Sequence, residues 1–136
     1  MIERIESGGK LLAMVIRHQF QEPGVHFISP PELSQQLAYM RHPRGKIIKP
    51  HIHNRVDRNI ELTQEVLVLR RGRLRADIYD DNRSLVTSLE LTGGDVMLLA
   101  SGGHGFEVLE EIEMIEIKQG PYIDDRDKTH FEPRKD

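Results

Sequence analysis

The chain has 136 residues, 38% hydrophobic and 30% charged, with four Phe, three Tyr and no Trp, which is length for one domain with an aliphatic core and not for two. Cysteine is absent, which excludes disulfides, thiolate zinc sites, iron–sulfur clusters and cysteine nucleophiles. A net charge of −3 gives no global attraction to nucleic acid, and the longest unbroken apolar run, residues 11–16, falls far short of the roughly 18 residues that cross a bilayer.

In chain order, most segments alternate with period two between turn residues, the pattern of an all-β sandwich or barrel. The first residues, Met1 to Glu6, are acidic where a signal peptide is basic, and with the missing cysteine this sets the expectation of a cytoplasmic protein. Residues 10–17 read as an apolar strand and 25–28 as a short extended piece. Ser29-Pro30-Pro31-Glu32 has the composition to start one helical turn. Residues 35–41 are extended again, and 45–53 form a strand with Pro50 at an edge or bend.

Residues 54–62 are polar and form a loop. Residues 64–69 are apolar on both faces and form a buried strand. Arg71-Gly72 turns it into a second strand in which Leu74, Ala76 and Ile78 face one way and Arg73, Arg75 and Asp77 the other. Turns at 80–83 and 92–95 bracket a strand at 85–91. Strands at 96–100, 106–109 and 112–118 complete the set. The barrel core spans about residues 35–119 of a single domain, and the tail, 120–136, has little to bury.

Histidine is the unusual entry, with seven copies. His51 and His53, two residues apart on a strand, turn to one face about 7 Å apart along the chain. Glu65 opens an otherwise apolar strand, where a carboxylate needs a partner or a metal. His104 follows an apolar strand in a glycine-rich turn. Three imidazoles and a carboxylate make a usual set of donors for a divalent transition metal. Glu61 rivals Glu65 as the carboxylate. His18, His26, His42 and His130 have no partner at ligand spacing and read as surface or structural.

At these residues the sequence resembles the cupin superfamily. Gly45, five residues, His51-x-His53, then Glu65, six residues and Gly72 follow the first cupin motif, with eleven residues between His53 and Glu65 where the family has three or four. Gly94-Asp95 and the next strand follow the second motif. There Ala100 replaces the proline, and His104 arrives one residue early after Gly102. The resemblance implies a double-stranded β-helix, or jelly roll, with one divalent metal (iron, manganese, zinc or nickel) at the barrel mouth. It also implies a homodimer, here through the strand at 10–17, and a faint overall likeness to small cupins encoded with surface-polysaccharide genes points to sugar-related substrates.

The expected function is a metal-dependent enzyme of isomerase, lyase or dioxygenase type, acting on a small anionic or sugar-derived hydroxy or carbonyl compound. The alternative is a non-catalytic binding module or sensor for a sugar or sugar acid. Arg41, Arg44, Lys46, Lys49, Arg55 and Arg58 face one acid, Asp57, between residues 41 and 58, a basic stretch suited to steering an anion. Arg55 and Arg58 are the candidates for holding it. Glu61, Tyr39 and Gln64 are the candidates for a general base. No esterase elbow, phosphate loop or calcium loop is present, and neither a nucleic-acid nor a membrane partner is expected.

Overall fold

The alternation of residues 73–78 becomes half of a 15-residue strand: Leu74, Ala76 and Ile78 are at most 1% exposed, while Arg73, Arg75 and Asp77 lie on the opposite face. In the computed structural model, which describes residues 1–124 and 126–134, the chain is all-β, with no helix among the described residues. Asp125 and the last two residues of the expected tail lie outside the described residues. The strands are β1 (Ile2–Ser7), β2 (Lys10–Ile16), β3 (Gly24–Phe27), β4 (Ala38–Arg41), β5 (Glu65–Tyr79), β6 (Leu85–Thr92), β7 (Val96–Leu99) and β8 (Gly103–Lys118). No helix of the described residues is long and apolar enough to cross a membrane.

Six strands form one antiparallel sheet in the order β1-β2-β7-β5-β6, with β8 on the other edge of β5, curled into a half-barrel. β7 and β6 share one edge of β5: β7 pairs with Glu65–Val68 and β6 with Arg73–Tyr79. β8 follows β5 along its whole length, with register breaks around Arg71 and Arg73. β3 and β4 make a separate two-stranded sheet.

The curl separates two apolar clusters. The concave side holds Leu12, Ala13, Val15, Leu67, Leu69, Leu74, Ala76, Ile78, Leu91, Met97 and Leu99. On the convex side Met14, Val66 and Leu98 are covered by Ile28, Leu33 and Leu37, from the chain around β3 and β4. That double burial explains why the start of β5 is apolar on both faces.

Several sequence expectations change. Arg71-Gly72 does not close a hairpin; β5 runs through it. Gly72 has φ +95°, and a Cβ there would sit 2.0 Å from the Glu111 carbonyl oxygen, so its glycine serves a close strand crossing at the bend. The expected strands at 106–109 and 112–118 are one strand, β8, which also takes in His104. Residues 29–32 start no helix but sit in a single turn closed by Leu33 N–H to Pro30 O at 3.2 Å, and residues 46–61 form no strand. β2 is flanked on its two sides by β1 and β7.

The tail is also anchored. Phe131 stacks edge-on against Tyr79, ring centres 5.3 Å apart, and fills the space above Gly103. Arg134 donates its backbone N–H to Arg83 O at 2.8 Å.

Candidate functional site

Directly paired residues of antiparallel strands share a face, and the pairings locate the polar groups of the concave side. Leu67 is opposite Glu116 and Leu69 opposite Met114, so Glu65 extends the inward stripe of Leu67 and Leu69, and Glu116 extends that of Ile112 and Met114. At the end of the half-barrel both stripes change from aliphatic to carboxylate. From the far end of the same ladder, His104 is opposite Ile78, and the bend at Gly72 folds that end over the first. His104 Nε2 lies 3.1 Å from Glu65 Oε1.

These groups border a cleft of about 680 Å³ lined by both ends of the ladder and by the returning tail. Lys118 Nζ bonds Asp127 Oδ2 at 3.1 Å, and Thr63 Oγ1 donates to the same oxygen at 3.1 Å. The other oxygen, Asp127 Oδ1, is buried and has no hydrogen-bond partner among the described residues. Lys128, His130 and the Phe131 ring complete the wall.

The electrostatics follow from the contacts. The hydrogen bond from His104 holds the Glu65 carboxyl well below its ordinary range, helped by Glu116 and Lys118 and opposed by burial. Glu116 moves the other way, pushed up by the adjacent Glu65 carboxylate and by burial. Asp127 is lowered, chiefly by Lys118. The cleft therefore sets two carboxyl groups with oppositely shifted proton affinities and an imidazole side by side, which is an arrangement suited to binding hydroxyl groups and moving protons.

The structure brings together two of the four expected metal donors, Glu65 and His104. His51 and His53 lie on the exposed segment 46–61, their rings 5.3 Å apart, and His51 Nδ1 is 2.9 Å from the Lys49 carbonyl oxygen. Among the described residues no three His, Asp or Glu side chains are placed to hold one ion. As arranged, the four expected donors are not gathered around one point.

The other candidates are placed as follows. Glu61, Arg55 and Arg58 are on the same exposed segment, outside the cleft lining. Tyr39, on β4, packs against Phe20, ring centres 4.8 Å apart. Gln64 is buried as a strut, donating to Ala100 O and accepting from the Gln35 N–H and the Ser34 hydroxyl.

Sequence reasoning missed Glu116, Lys118, Asp127 and His130. Glu116 carries a signal, since it ends the alternating stripe Ile112-x-Met114-x-Glu116. Asp127 and His130 carry none, because only the return of the tail brings them to the ladder. The chain matches no family model, no curated protein and no solved structure.

Proposed function

We propose that this chain is a cupin-type barrel that binds a small hydroxy or carbonyl compound, sugar-derived or anionic, in the cleft of Glu65, His104, Glu116 and Asp127, and transforms it by proton transfer of isomerase or lyase type. The observation that carries this reading is the meeting of Glu65 and His104 at 3.1 Å in a cleft whose wall also holds Glu116, Lys118 and Asp127. Substrate hydroxyls hydrogen-bond to these carboxylates and to the imidazole. Lys118 and Lys128 balance an anionic substituent. His104, held by Glu65, exchanges a proton with the bound compound.

The test is calorimetric titration and turnover of a panel of hydroxy acids and sugar acids. One class is expected to bind, and Glu65→Gln and Asp127→Asn are each expected to weaken it at least about tenfold. Wild-type affinity retained by both variants would overturn the reading. Binding with no turnover would select the alternative, a sensor or binding module.

A second, metal-dependent reading, of Lewis-acid or dioxygenase type, is supported by the cupin-like spacing of His51, His53, Glu65 and His104 together with the Glu65–His104 contact. It requires residues 46–61 to bring the first two histidines to the second pair. Elemental analysis decides it: about one divalent transition metal per chain, lost in the His51→Ala, His53→Ala double variant, supports it, and a protein with no metal that takes up none opposes it.

A further inference from the structure

The chain between β4 and β5 contributes nothing to the core. Every residue from 43 to 62 is exposed, and among the described residues its backbone-to-backbone hydrogen bonding amounts to one turn contact, Lys46 N–H to Pro43 O. The segment is nevertheless rich in large aliphatics. Ile47, Ile48, Ile52 and Val56 are 82%, 61%, 89% and 59% exposed, and apolar side chains gathered in one exposed stretch mark a contact surface.

The apolar exposure runs back into β4. Val25 and Met40 are paired across β3 and β4, so they share a face, and Phe27 lies on that face two residues along. All three are exposed, while His26 and Tyr39 turn the other way, against Phe20. Met40 is at most about 11 Å of chain from Pro43, so the face of this small sheet and the segment adjoin.

Charge says what kind of surface they meet. Residues 41–58 hold six bases, Arg41, Arg44, Lys46, Lys49, Arg55 and Arg58, and one acid, Asp57. That is +5 in a chain of net charge −3, so the rest of the chain carries −8. Among the described residues none of the six bases forms an ion pair. An anionic plane attracts this segment and repels the body behind it, which sets orientation as well as contact.

We infer that residues 43–62 dock on the anionic surface of a lipid bilayer, with the bases among the headgroup phosphates and Ile47, Ile48, Ile52 and Val56 at the edge of the acyl region. The aliphatics decide between a bilayer and a dissolved polyanion. A phosphate ester or a nucleic acid would meet the bases and leave four large apolar side chains in water, whereas a bilayer takes up both. An interfacial contact requires no spanning segment, so the short apolar runs of this sequence suffice. The inference is independent of what the cleft binds.

Flotation of the full chain with vesicles of mixed phosphatidylglycerol and phosphatidylcholine is expected to show binding that weakens as salt rises and is absent with phosphatidylcholine alone. Each base near such a surface gives a roughly fivefold gain in affinity, so Lys46→Glu with Lys49→Glu is expected to weaken binding at least about tenfold. Ile47→Ser with Ile48→Ser, which leaves the charge unaltered, is also expected to weaken it at least about tenfold. All four positions are exposed, and an unchanged melting temperature verifies that each variant is folded. On vesicles, amide exchange is expected to slow in residues 43–62 and to stay as it is in β5. Absence of binding to the anionic vesicles would overturn the inference. So would an isoleucine variant that binds them as tightly as the wild type, or duplex DNA bound as tightly as the vesicles, since the segment would then be a general polyanion site. Self-association without vesicles that the isoleucine variant loses would overturn it too, because those side chains would already face a second copy.

Discussion

Glu65 and His104 belong to opposite ends of one antiparallel ladder, and their side chains nevertheless touch, Oε1 to Nε2 at 3.1 Å. Glu65 is paired with Lys118 at one end of the β5–β8 pairing and His104 with Ile78 near the other. The contact exists because the ladder folds on itself where its register breaks, around Gly72. The cleft and the bend are thus one feature, and changes at the bend are felt at the site.

Gly72→Ala tests that link. Its Cβ would fall 2.0 Å from the Glu111 carbonyl oxygen at a φ of +95°, so the strands must separate. The expected cost is about 3 kcal/mol of stability, measured by urea unfolding. Whatever folded protein remains is expected to show a perturbed His104 ring resonance. Unchanged stability would mean that the bend does not depend on this glycine.

Asp95 sets the acid limit of the fold. Its side chain, 1% exposed, accepts from the His18 and Thr92 N–H groups, each at 2.8 Å, and from Arg17 Nη1 at 3.0 Å. Burial works to raise its pKa, but the donors from Thr92, His18 and Arg17 outweigh burial and hold it below the ordinary carboxylate range. The folded state therefore binds this proton less readily than the unfolded state does. Its stabilisation is complete above the unfolded pKa of about 4 and is lost as pH falls through the lower folded value. Urea midpoints against pH are expected to drop on that limb, and Asp95→Asn is expected to flatten the drop while costing about 3 kcal/mol at neutral pH. An acid limb of the same size in the variant would contradict this assignment.

Phe131 fastens the tail that carries Asp127 and His130 to the ladder. Phe131→Ala removes the ring from Tyr79 and Gly103, and from the Arg83 guanidinium carbon 5.4 Å from its centre. The expected loss is about 1–3 kcal/mol, with faster proteolysis after residue 120 and weaker ligand binding in the cleft. A tail as protected as in the wild type would show that other contacts hold it.

The apolar face of β5 is legible in the sequence alone, because Leu74, Ala76 and Ile78 alternate with charged neighbours and only one face fits a core. The turns at 80–83 and 92–95 are legible for the same local reason, their Asp, Asn and Gly content. The course of the chain at Gly72 is not. Glycine between two strand patterns reads equally as a turn or as a bend in a continuous strand, and the choice depends on β8, some forty residues later. The Glu65–His104 contact is half legible, since both residues stand out by type and position, and the structure brings them together without His51 and His53. The 45–53 segment alternates as a strand does, but alternation gives a face only where a neighbour supplies one, and within a single chain none is paired to it. The cleft's remaining groups, Asp127 and His130, depend on the path of the tail, which no local pattern encodes.

The central claim, that Glu65, His104 and Asp127 form a ligand site, is tested most directly by heteronuclear NMR of the labelled full chain titrated with hydroxy acids and sugar acids. The account predicts that at least one compound shifts resonances of Glu65, His104, Glu116 and Asp127 together at saturable concentration, and that His104→Ala abolishes the response without unfolding the protein. A panel that leaves these four residues unmoved, or a ligand whose shifts lie elsewhere and persist in His104→Ala, would contradict it.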